Sequence, residues 1–121
     1  MIPDIDFDGL VSNVLSAMRG ILDKDAELLR GYSQAKLKTI ARFTKLVGEG
    51  YAQGFIDLAE FEEHLERLDD MIERFVRNLR ALAAVTIEKL IAAVTGTVYG
   101  AIGGAARAAG VALPPIGLPD V

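Results

Sequence analysis

The residues able to do chemistry are few. Glu60 and His64 stand four apart in Glu60-Phe61-Glu62-Glu63-His64-Leu65-Glu66, a spacing that puts both on one helix face and could offer two ligands to a metal ion. A carboxylate-bridged two-metal bundle needs Glu-x-x-His on two helices and two further Glu. Phe61 occupies the Glu position relative to His64, and the segment expected opposite supplies Lys and Arg, so neither a metal nor another cofactor is expected. Ser12, Ser16 and Ser33 have no His and Asp arranged around them to activate a nucleophile. The chain has no Cys, which removes thiolate zinc sites, iron–sulfur clusters, disulfides and a Cys nucleophile. The glycines after residue 95 follow no strand and precede no Lys-Ser/Thr pair, so no phosphate loop is expected. No catalytic residue emerges, and the expectation is a protein that is not an enzyme.

The elements that would carry these residues are helical. The 121 residues suffice for one domain with a modest core. The four prolines are Pro3, Pro114, Pro115 and Pro119, leaving the 110 residues between them without one, and no useful stretch alternates with period two. The sequence predicts an all-α single domain over 1–110 and an extended Pro-rich tail over 111–121. Within it, a short helix over 5–20 has Leu10, Val14, Met18 and Ile21 on one face and Asp6 or Asp8 as N-cap. A first arm over 22–48 follows. Gly48, Gly50 and Gly54 mark a loop, after which a long second arm over 57–109 completes an antiparallel helical hairpin.

The second arm carries the sharpest periodicity. Leu58, Phe61, Leu65, Leu68, Ile72, Phe75, Leu79 and Leu82 follow alternating steps of three and four, the a/d pattern of a coiled-coil seam. Asp57 is the expected N-cap, with Glu60 three residues later completing a capping arrangement.

Charge comes in blocks. Residues 1–28 hold six acids against Arg19 and Lys24; 29–48 hold Arg30, Lys36, Lys38, Arg42 and Lys45 with no acid. Residues 49–73 hold nine acids against Arg67, and 74–89 hold Arg74, Arg77, Arg80 and Lys89 against Glu88. Folding back near Ala52 sets Arg42 opposite Glu62, Lys38 opposite Glu66 and Glu27 opposite Arg77. Exposed pairs contribute only about 0.2 to 1 kcal/mol each, so this pattern would mainly set register. The acidic partner for the basic block is thus encoded, which weighs against phosphate binding. A net charge of -4 also argues against nucleic acid as a partner.

Residues 1–89 hold 28 of the 30 charges, so the high mean hydropathy of +0.30 is concentrated beyond them. Residues 90–106 are uncharged, and small residues recur every fourth position at Ala92, Gly96, Gly100, Gly104 and Ala108. Glycine inside a helix costs up to about 1 kcal/mol relative to Ala, so a regular row implies a close helix contact. The opposite face carries Val94, Val98 and Ile102. This zipper over 90–108 resembles the glycine-zipper segments of membrane-inserting oligomers and pores. The resemblance implies a homo-oligomer with the small residues at its interface, and a lipid bilayer as a further contact. The chain length also invites comparison with small helical-hairpin secretion substrates bearing a Trp-x-Gly turn, but the turn here reads Gly50-Tyr51-Ala52.

The resulting expectation is a structural or assembly subunit of a bacterial or phage machine, working beside other subunits in a virion or cell envelope and forming a tube or pore. The alternative is a cytoplasmic, soluble homo-oligomeric helical-bundle adaptor that binds a partner protein. The acidic start, Met1-Ile2-Pro3-Asp4, gives no expectation of a signal peptide.

Overall fold

A computed structural model describes residues 5–23, 32–79 and 82–111, and these form four helices with no strand among them. The helices are α1 (Phe7–Leu22), α2 (Tyr32–Ala52), α3 (Leu58–Arg77) and α4 (Ala84–Ala108). Helix α4 packs against the other three, α2 touches all of them, and α1 and α3 do not touch. The bundle is therefore a central α2–α4 pair flanked by α1 on one side and α3 on the other.

Each helix buries the stripe its spacing encodes. Leu10, Val14, Met18 and Leu22 of α1 face inward at steps of four, with Leu22 in the place expected of Ile21, which is half-buried. Phe61, Leu65, Leu68, Ile72 and Phe75 of α3 do the same, with Val76 alongside. Leu90, Val94, Val98 and Ile102 supply the inner face of α4. Thr44 is the one buried polar residue of the core among the described residues, and its hydroxyl donates to the Ile40 carbonyl at 2.8 Å.

The helix boundaries differ from the sequence expectation at three places. Helix α1 passes through Gly20 and ends at Asp23, whose φ of 48° breaks the helix. Helix α2 continues through Gly48 and Gly50, so of the three loop glycines only Gly54 lies in the turn. There its φ of +80° lets the Gly54 N–H bond the Tyr51 carbonyl while the Phe55 N–H bonds that of Gly50. The same arrangement recurs at the end of α4, where Gly110 at φ +74° donates to Arg107 and Val111 to Ala106. The start of the first arm, at 24–31, and the Pro-rich tail beyond Val111 lie outside the described residues.

The third difference is the largest. The continuous second arm expected over 57–109 is two helices, broken after Arg77 and resumed at Ala84. Leu79 turns inward and is buried, and α4 folds back so that Tyr99 reaches Asp69 of α3. A continuous arm would leave the inner face of α4 in water, and burying several large apolar side chains, at about 1.5 to 3 kcal/mol each, outweighs a few lost helical residues.

Helix α3 begins as expected. The Asp57 carboxylate accepts the Glu60 N–H at 2.8 Å. Asp57→Ala is expected to lower stability by about 0.5 to 2 kcal/mol in chemical denaturation, the usual effect of deleting a cap.

Candidate functional site

The small-residue row of α4 lies on the outside of the bundle. Ala92, Gly100 and Ala108 are exposed, and Gly96 and Gly104 are half-buried. A Cβ added at Gly96, Gly100 or Gly104 would meet no atom within 4 Å. The close helix approach these glycines permit is therefore not used inside the described part of the subunit. Their helix turns Leu90, Val94, Val98 and Ile102 inward and leaves this row of small residues outside, although Gly103, Ala105 and Ala106 are buried with the large ones. Beside the row, the start of α1 and the end of α4 enclose a groove of about 470 Å³ lined by Asp6, Gly9, Asn13, Gly100 and Gly104 among others. Lys89 and Arg107 are exposed near the two ends of the row.

Close backbone approach occurs instead at Gly48 of α2. A Cβ there would stand 2.6 Å from Ile5 Cδ1 and 3.3 Å from Ile102 Cγ1. Near it, the Ile5 N–H donates to Glu49 Oε2 and Lys45 Nζ donates to the Ile5 carbonyl, both at 2.8 Å, while Lys45 and Glu49 pair with each other. This clasp ties the approach to α1 onto α2. Sequence spacing gave no sign of it beyond the Lys45–Glu49 interval of four, since Ile5 is distant in the chain.

The seam residues Phe61, Leu65, Leu68, Ile72, Phe75 and Leu79 are buried, Leu82 is half-buried, and Leu58 is 46% exposed. Tyr51 stacks on Phe61 with centroids 4.0 Å apart, and Phe43 meets the His64 ring edge-on at 5.6 Å, so α2 and α3 run in opposite directions. The charged side chains expected between these helices do not meet. Arg77 bonds Glu73 of its own helix at 2.9 Å; Glu27 lies outside the described residues. Arg42 lies over the Phe7 ring of α1 at 5.8 Å. Lys38, Glu62 and Glu66 are exposed and enter no ion pair among the described residues.

Of the residues with chemical potential, His64 leaves its buried Nδ1 without a hydrogen-bond partner among the described residues, and Glu60 is exposed. No group of three or more His, Asp or Glu among the described residues is arranged to hold a metal ion. Ser12 and Ser16 are exposed on α1, which does not touch the helix that carries His64. Ser33's side chain is outside the described set.

Helix α4, at 25 residues, is long and apolar enough to cross a membrane, a test that core helices of soluble proteins also pass. Comparison with protein-family models, curated proteins and solved structures finds no match to this chain.

Proposed function

We propose that this chain is a non-enzymatic structural subunit that assembles with copies of itself, α4 meeting the α4 of a neighbour through Ala92, Gly96, Gly100, Gly104 and Ala108. One observation carries the reading: among the described residues no atom lies within 4 Å of a Cβ added at Gly96, Gly100 or Gly104, although each glycine costs helix stability. A flat face on a helix whose other side is locked into a core suits packing against a second rigid helix. In this mechanism the α2–α3 hairpin and its apolar seam hold α4 in place, and the zipper faces join subunits into the larger assembly of a virion or cell envelope.

A bilayer is the second contact the reading admits, since α4 has the length to span one. Insertion would require α4 to leave α1, α2 and α3, because its large apolar side chains are their core. Flotation of the full chain with lipid vesicles reads this out: protein that stays in the soluble fraction while oligomeric removes lipid from the function. A chain cut after Lys89 is unsuitable, because the cut deletes the central helix.

The assembly itself is tested by light scattering. The full chain is expected at a multiple of its 13.0 kDa mass, and Gly100→Leu at a smaller one, with its helical signal retained. A 13.0 kDa species at all concentrations, or an unchanged oligomer in Gly100→Leu, overturns the zipper interface.

A further inference from the structure

Arg42 of α2 and Glu62 and Glu66 of α3 carry opposite charge and lie on different sides of the bundle, while Leu46 of α2 borders a recess that also reaches His64 of α3. Arg42 leans over Phe7, on the side where α1 packs, whereas Glu62 and Glu66 border a recess with Asp69 and Tyr99, on the side where α4 packs. The flanking positions of α1 and α3 make these two sides of one molecule opposite. None of Lys38, Arg42, Glu62 or Glu66 enters an ion pair among the described residues, so each face presents uncompensated charge.

We infer that the two faces meet between copies of this chain, α2 of one subunit lying antiparallel on α3 of the next. On each helix the residues involved recur every four, about 6 Å apart along the axis. Antiparallel register sets Lys38 against Glu66, Arg42 against Glu62 and Leu46 against Leu58 in a single alignment. Leu46 and Leu58 are 70% and 46% exposed, and this contact covers both. A parallel alignment that keeps Arg42 on Glu62 sets Lys38 on Leu58 and Leu46 on Glu66, placing both charges against leucine. The contact joins unlike faces on opposite sides of the subunit, so it propagates head to tail and generates a ring or a filament. The inference rests on the self-assembly reading above but uses none of the zipper residues.

Charge exchange in the full chain tests it. Lys38→Glu/Arg42→Glu sets acid against acid, and Glu62→Lys/Glu66→Lys sets base against base. Each variant alone is expected to scatter as a smaller species than wild type at low salt, with its helical signal retained. An equimolar mixture is expected to regain the wild-type mass, because each reversed face then finds a complementary one; the fourfold exchange in one chain is expected to do the same. High salt is expected to weaken wild type and mixture alike. Double variants that keep the wild-type mass, or a mixture no larger than its components, overturn the inference. If Gly100→Leu dissociates the assembly while the charge variants keep it, the zipper stands and this contact falls; the reverse result removes the zipper and keeps this contact.

Discussion

Gly48→Leu is expected to unfold the chain at temperatures where Gly100→Leu leaves it folded, although both put the same side chain on a helical glycine. At Gly48 the first added carbon already stands 2.6 Å from Ile5 Cδ1 and 3.3 Å from Ile102 Cγ1, with the Ile102 Cα at 3.6 Å. Alanine there is tolerable: the tip of Ile5 can swing aside, and replacing glycine recovers up to about 1 kcal/mol of helix propensity. Leucine carries its branch into the backbone of α4, which cannot yield without moving the core. Overpacking of this kind costs about 1 to 3 kcal/mol. Displacing Ile5 also pulls its N–H from Glu49 and its carbonyl from Lys45. Against a total stability of about 5 to 15 kcal/mol, this is a large share. A melt followed by circular dichroism should fall by about 10 °C. An unchanged melt would show that α4 and the approach to α1 do not close on α2 at this point. At Gly100, where no atom among the described residues lies within 4 Å, the same substitution adds no clash inside the subunit and should leave it folded.

The second large effect is Phe61→Ala, expected to cost about 3 to 5 kcal/mol, the range for removing a fully buried aromatic ring. Phe61 is 0% exposed and lies nearly parallel to Tyr51, with an interplanar angle of 11°. It sits one turn after the Asp57 cap and fastens the α2–α3 turn, so the loss combines a cavity with a freed Tyr51 ring. Denaturant midpoints measure it. Leu58→Ala, on the same apolar row but 46% exposed, serves as the comparison and is expected to shift the midpoint little. Equal losses at the two positions would contradict the burial that separates them.

The contrast between Phe61 and Leu58 also marks how far the sequence reading reached. Steps of three and four identified the inward face of α3 because helix geometry converts spacing directly into direction. The Asp57 cap was legible for the same reason, its partner being three residues away. The break between Arg77 and Ala84 was not: Leu79 and Leu82 continue the periodic row, and nothing local announces that the chain turns there. The charge pairs failed similarly. Opposite signs brought into register do not pair when their side chains leave the bundle on different sides, and Arg77 takes the nearer Glu73.

By itself, the sequence determined that this chain is helical, where its apolar faces lie and that 28 of its 30 charges fall before residue 90, because these follow from residue type and short-range spacing. Only the tertiary structure decided what each glycine is for. Gly48, which the sequence places in a loop, is a contact between three segments; Gly96, Gly100 and Gly104 meet no atom within 4 Å among the described residues, so the close contact their spacing implies is not made inside that part of the subunit. A glycine's meaning lies in what stands opposite it, and for Gly48 that is Ile5 and Ile102, each far away in the chain and brought near by burying the inner face of α4.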